Sequence, residues 1–64
     1  MKVWIISEAP YYHDCTYMVS AHRTKSSAEK KCRNDGFLFN KRQGIFLNEK
    51  EMMYRHLEMI SMEE

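Results

Sequence analysis

The stretch between Cys15 and Gly36 constrains the fold most, because its hydrophobic period changes there from two residues to about 3.6. Its first part places Tyr17, Val19 and Ala21 on one side, as in a half-buried strand. The apolar residues that follow repeat with the spacing of a helix. The pattern therefore predicts a strand, begun at Cys15, that leads directly into a short helix.

The start and the end of this helix carry their own signals. Ser26 and Glu29 have the spacing of a capping box, in which each side chain accepts a hydrogen bond from the other residue's backbone N–H. Ala28 and Cys32 lie one turn apart on one face, and Gly36 can end the helix with a positive φ. We expect a helix over residues 26–35 whose Ala28 face is buried.

A first strand is predicted before Pro10, which ends it because proline cannot donate to a sheet ladder. This strand is apolar on both faces, with Val3 and Ile5 on one and Trp4 and Ile6 on the other. A single helix can cover only one face of a sheet. The other face must therefore meet a curled part of the same sheet or a binding partner.

The second half of the chain contains a predicted hairpin and an ambiguous final segment. Two short apolar runs, 37–40 and 45–48, flank a polar turn that ends at Gly44. In the final segment, Asn48 and Glu51 could cap a helix, or residues 54–62 could form a closing strand. We predict one α+β domain over residues 1–64, in the order β-β-α-β-β-β, with one helix packed on one face of a small antiparallel sheet and with a helix as the alternative for the last element.

A domain of 64 residues buries only about 60% of its unfolded surface and needs additional stabilisation. Cys15 and Cys32 could in principle form a disulfide. However, the apolar run Val3–Ile6 is far shorter than the roughly 7–15 residues of a signal-peptide core, and no run approaches the roughly 20 residues of a membrane span. We therefore expect a cytoplasmic protein with both thiols free and buried, and a homodimer as the source of the additional stability.

Motifs for catalysis or cofactor binding are not evident. The potential soft metal ligands form no Cys-x-x-Cys or His-x-x-x-His pair; they are His13, Cys15, His22, Cys32 and His56. Neither cysteine has a base held in place by a third group, and no serine lies in a nucleophile elbow. With two glycines the chain has no phosphate-cradling loop. We expect neither an enzyme nor a bound metal or cofactor.

Protein binding requires less of a sequence than catalysis does. Interfaces are enriched in tryptophan, tyrosine, methionine and arginine. This chain has more of these residues than one helix can bury against the sheet. Aromatic side chains would anchor the partner while basic side chains of the hairpin turn set its register. The predicted partner-binding residues are Trp4, Tyr11, Tyr12, His13, Lys41 and Arg42.

A nucleic-acid-binding regulator is the alternative function. Although the net charge is only +1, the middle of the chain is basic and its end is acidic. Against this alternative, Phe37 and Phe39 have a pattern typical of core residues, and the C-terminal glutamates would repel a phosphate backbone. The candidate residues, beside the hairpin turn, are Arg23, Lys25, Lys30, Lys31 and Arg33.

Four segments together resemble a diffuse group of short bacteriophage accessory proteins. They are the opening Lys-Val-Trp-Ile-Ile, the aromatic-acidic connection over residues 11–14, the run from His22 through Lys30, and the late Tyr-Arg-His-Leu-Glu-Met-Ile beginning at Tyr54. In that group the last pattern is usually a strand, which favours the closing strand here. The resemblance implies a small phage protein, without a shared catalytic motif, that binds and disables a host enzyme or defence protein by occupying its surface.

Overall fold

The computed structural model describes residues 1–12 and 15–62 as a five-stranded antiparallel sheet with one helix. The spatial strand order is β2-β1-β5-β4-β3, so the N-terminal strand and the closing strand lie at the centre. The predicted α+β class and element order are confirmed. The elements are β1 (Lys2–Pro10), β2 (Tyr17–His22), α1 (Lys25–Asn34), β3 (Leu38–Asn40), β4 (Ile45–Asn48) and β5 (Met53–Ser61).

The closing element is a strand, so the helix alternative for the final segment is wrong. β5 pairs with β1 over nine positions, from Lys2 opposite Ser61 to Pro10 opposite Met53. Methionine and glutamate favour a helix, but this preference is weak compared with a full ladder and the packing of one strand face. The predicted hairpin is also confirmed, and Gly44 closes its turn with φ 71°.

The hydrophobic core lies between α1 and one face of the sheet. Along β1, Trp4 and Ile6 point toward the helix, while Val3 and Ile5 point away from it, as the alternation predicts. The core consists of the buried residues Ile6, Ala28, Cys32, Phe37 and Phe46, with Trp4, Val19, Met53 and Leu57 packed around them.

The helix begins two residues earlier than the capping-box pattern indicates. Thr24 is the N-cap: its backbone is extended, and its Oγ1 accepts a hydrogen bond from the Ser27 backbone N–H at 3.1 Å. Ser26 therefore lies inside the first turn, and the predicted Ser26–Glu29 capping box is wrong. The predicted end is confirmed, because Gly36 has φ 91°.

A β-bulge in β2 breaks the predicted alternation of that strand. Ile6 pairs with Ser20, but Ser7 pairs with Met18, so Val19 is the extra residue. Val19 packs against the core, whereas Ala21 pairs with Ile5 on the opposite face. The expectation that Tyr17, Val19 and Ala21 share one side is wrong because the bulge shifts the register.

The two cysteines differ in environment. Cys32 is fully buried beneath the helix, as predicted. Cys15 is exposed, because it precedes β2, which begins at Tyr17 rather than at Cys15. Both thiols are free, as expected, but the prediction that both are buried is wrong for Cys15. No helix among residues 1–12 and 15–62 is long and apolar enough to cross a membrane.

Candidate protein-binding surfaces

The sheet face opposite α1, here called the open face, is largely apolar. In residues 1–12 and 15–62 no helix or further strand packs over it. Its most accessible large apolar side chains are Leu38, Met18 and Ile60, which are 71%, 65% and 42% exposed. The strand residues on this face are Val3, Ile5, Ser7, Ala9, Met18, Ala21, Leu38, Asn40, Ile45, Leu47, Tyr54, His56, Glu58 and Ile60.

A cavity of about 510 Å³ opens at one corner of the open face. Its walls include Ile45, Leu47 and Tyr54 from β4 and β5, and Tyr11 from the turn after β1. The Tyr11 backbone N–H donates to the Met52 carbonyl at 2.9 Å, which ties that turn to the start of β5. One predicted anchor, Tyr11, therefore belongs to the open face.

A second concavity, here called the aromatic groove, lies on the helix side between α1 and the β3–β4 hairpin. Its volume is about 290 Å³. Phe39 is 53% exposed there, because β3 is an edge strand. The Phe46 ring contacts the Phe39 ring from the neighbouring strand, with ring centres 5.2 Å apart. The interpretation of Phe39 as a core residue is therefore wrong, whereas Phe37 is buried. The groove is lined by Trp4, Lys25, Glu29, Phe39, Gly44, Phe46 and Leu57.

The structure divides the predicted partner-binding residues between separate surfaces. Trp4 lines the aromatic groove, and Lys41 and Arg42 lie exposed in the hairpin turn that ends beside it at Gly44. Tyr11 lines the cavity on the opposite face, and its neighbour Tyr12 is exposed, with its hydroxyl 3.7 Å from the Met52 sulfur. The remaining candidate, His13, lies outside the described residues.

The predicted nucleic-acid residues do not form one continuous stripe. Lys25 lies over the Trp4 ring, with Nζ 5.7 Å from the ring centre, so it belongs to the aromatic groove. Lys31 forms an ion pair with Asp35 at 3.2 Å. Arg23, Lys30 and Arg33 are exposed and lie outside the groove lining.

Sequence reasoning missed a buried ion-pair network on the helix side. Arg55, only 6% exposed, donates from Nε to Glu8 and from Nη1 to Asp35, both at 2.8 Å. Its guanidinium lies 4.1 Å from the centre of the Phe37 ring. The signal was present in the strand period: Glu8 follows Ile6 by two residues and Arg55 precedes Leu57 by two, so both point inward.

The network shifts the ionisation of its members. The Arg55 hydrogen bond holds the pKa of Asp35 below its ordinary value, while the hydrogen bond to Glu8 raises the pKa of the Tyr17 hydroxyl. Burial raises the pKa of the Cys32 thiol. Burial also disfavours the charged form of Arg55, but its hydrogen bonds with the two carboxylates outweigh this, so its pKa is raised.

The side chains of this network form hydrogen bonds with one another. Within the described part of the chain, no buried side-chain nitrogen or oxygen lacks a hydrogen-bond partner. His22 similarly joins β2 to α1, since its two ring nitrogens lie 2.8 Å from Ser20 Oγ and 2.9 Å from Ser27 Oγ. These polar clusters hold the fold together, whereas the open face and the aromatic groove present exposed apolar side chains.

Comparisons with protein-family models, curated proteins and solved structures give no match for this chain. The open face and the aromatic groove are therefore the features from which a function is inferred.

Proposed function

We propose that this protein is a non-enzymatic protein-binding module that blocks a target protein by covering part of its surface with the aromatic groove. The observation that carries the proposal is the exposure of Phe39, an aromatic ring left half-accessible in a groove that Trp4 also lines. Aromatic side chains set in a concavity and bordered by cations are typical of binding hot spots.

The charges around the groove define the chemistry of the partner. Lys25 forms part of one wall, and Lys41 and Arg42 project from the adjoining turn, against the single carboxylate of Glu29. The surroundings are therefore positive overall. An acidic segment of a target protein that presents an apolar side chain would satisfy both the rings and the cations.

The resemblance to bacteriophage accessory proteins supports a biological setting for this binding. The target would be a host enzyme or defence protein, met in the cytoplasm of the host cell. Inhibition would be steric, since the module needs only to occupy a surface that the target uses.

Substitution of Phe39 tests the proposal. Immobilised protein is exposed to a bacterial lysate, and the retained proteins are quantified by mass spectrometry. Because hot-spot truncations cost about 2 kcal/mol or more, Phe39→Ala should reduce retention of the specific partner about thirtyfold. Leu38→Ala is the matched control, because it truncates the neighbouring residue on the opposite face. If Phe39→Ala and Leu38→Ala retain the same proteins as wild type, the groove is not the binding site.

The exposure of Phe39 also favours the alternative function, because nucleobases stack on exposed aromatic rings near cations. Fluorescence anisotropy with single-stranded DNA and RNA oligonucleotides distinguishes the two functions. Binding that weakens steeply with salt, and that Lys30→Glu with Lys31→Glu abolishes, would support the nucleic-acid regulator instead. No oligonucleotide binding at low salt would exclude that alternative.

A further inference from the structure

We infer that a second copy of this chain covers the open face, and that the two sheets pack face to face in a two-fold dimer. This inference concerns the face opposite the aromatic groove. It is therefore independent of the proposed partner of the groove.

Ten of the fourteen strand residues on the open face are apolar; the other four are Ser7, Asn40, His56 and Glu58. Glu58 is the only formally charged strand residue on it among the described residues. Around Glu58 the central strands contribute Ile5, Ile60 and Val3, and the outer strands contribute exposed apolar side chains. Clusters of exposed apolar side chains that are bordered by polar residues typically mark interaction sites.

The size of the open face matches the requirement of a stable dimer. The five strands have nine, nine, six, four and three residues. At about 3.4 Å per residue and about 4.8 Å between strands, their projected area is roughly 500 Å². Side-chain relief makes the accessible area larger than this projection. It is thus of the same order as the roughly 800 Å² that each partner buries in a standard interface.

A two-fold rotation would bring unlike parts of two open faces together. An axis parallel to the strands reverses the order β2-β1-β5-β4-β3, so that the β2 side of one copy faces the β4–β3 side of the other. Met18 protrudes on the β2 side, and the cavity lined by Leu47 and Tyr54 lies on the β4 side. Each copy thus has a projection on one side and a concavity on the side that the rotation brings opposite it.

A dimer that pairs through the sheet edges would leave the open face exposed to water. A dimer joined at two β2 edges would extend the sheet and leave both apolar faces in water. Face-to-face packing at the usual separation of about 10 Å removes that surface instead. The second copy also supplies the stabilisation that a core confined to one side of a short chain lacks.

Two pairs of neighbouring residues give matched variants. Ile60 and Met59 are 42% and 43% exposed but point to opposite faces, as do Leu38 and Phe39 on β3. The open-face variant combines Leu38→Lys and Ile60→Lys. The control variant combines Phe39→Lys and Met59→Lys on the helix side. Light scattering coupled to size exclusion gives the mass from about 100 μM down to about 0.1 μM, and circular dichroism monitors the fold.

The inference predicts a wild-type dimer and a control variant whose dissociation constant stays within about threefold of wild type. The open-face variant should dissociate at least about a hundredfold more readily, because each copy brings unpaired charges into the interface. A wild type that is monomeric throughout the series overturns the inference. So does a wild-type dimer that the folded open-face variant leaves intact.

Methionine oxidation supplies a test that needs no substitution. In the isolated chain Met18 is more exposed than Met59, at 65% against 43%, so peroxide should oxidise Met18 faster in a monomer. In the face-to-face dimer Met18 is covered and Met59 is not. Slower oxidation of Met18 than of Met59 at high protein concentration is expected, and the reverse order would contradict the inference even if the lysine variants failed to fold.

Discussion

Replacement of Arg55 by methionine should destabilise the protein severely, although Arg55 lies outside the hydrophobic core cluster. Methionine keeps much of the side-chain volume but removes both charge-assisted hydrogen bonds, to Glu8 and to Asp35. Asp35 retains Lys31 and is partly exposed, so water can solvate it. Glu8 is only 8% exposed, and it keeps the Tyr17 hydroxyl as its remaining side-chain partner.

The magnitude follows from the buried carboxylate that is left behind. Removing one partner of a buried ion pair costs about 3–5 kcal/mol, because the remaining charge is desolvated without compensation. A chain of this length has a total free energy of unfolding of roughly 3–10 kcal/mol. Arg55→Met should therefore lower the stability by a large fraction or unfold the protein at 25 °C.

A double-mutant cycle with Glu8→Met separates the ion pair from general disruption. Urea unfolding at one fixed protein concentration can be followed through the fluorescence of Trp4, the single tryptophan. Since replacing both buried charges by apolar groups is often nearly neutral, the double variant should be more stable than Arg55→Met alone. A loss below about 1 kcal/mol for Arg55→Met, or a double variant less stable than that single one, would refute the reasoning.

Three further predictions concern the helix cap, the thiols and the acid limb of stability. Thr24→Ala should lower the free energy of unfolding by about 1 kcal/mol, whereas Ser26→Ala should change it by less than about 0.5 kcal/mol. If urea unfolding shows a larger loss for Ser26→Ala than for Thr24→Ala, Ser26 is the N-cap and the capping box exists. With a thiol-reactive disulfide reagent near neutral pH, Cys15 should react at once and Cys32 only as the protein opens, because burial protects Cys32 and raises its pKa; two equally fast thiols would contradict this. The pKa of Asp35 is lowered in the folded state, so the contribution of Asp35 to the free energy of unfolding is complete above its ordinary pKa of 3.8 and is lost as the pH falls below that value. The urea midpoints at about pH 5 and about pH 3 should therefore differ less in Asp35→Asn than in wild type. An equal difference in the two proteins would exclude this role.

Local signals in the sequence predicted much of the fold. The helical spacing of Ala28 and Cys32 identified the buried face of α1, and the glycine at position 36 marked its end. The β4 bounds, Ile45–Asn48, agree with the prediction, because a short apolar run next to a glycine-containing turn is a short-range pattern. The two apolar faces of β1 also followed from alternation alone, and they indicated a surface that one helix could not cover.

The sites were less predictable, because their members come from distant parts of the chain. Trp4 on β1 and Phe39 on β3 line one groove although β5 and β4 lie between their strands. The groove exists because α1 covers only part of the helix side of the sheet. Tyr11, by contrast, faces the other side of the sheet. A residue's type suggests that it can bind a partner, but the strand order decides which such residues share a surface.

The sequence by itself determined the first five elements, their order and the buried faces of β1 and α1, since periodicity and turn glycines act over a few residues. The tertiary structure alone decided three features. It made the last segment a strand, because β1 offered it a full ladder. It placed the bulge at Val19, because the register with β1 shifts there. It also joined Glu8 to Arg55, 47 residues apart, because two inward-facing charges opposite each other on paired strands must neutralise one another once water is removed.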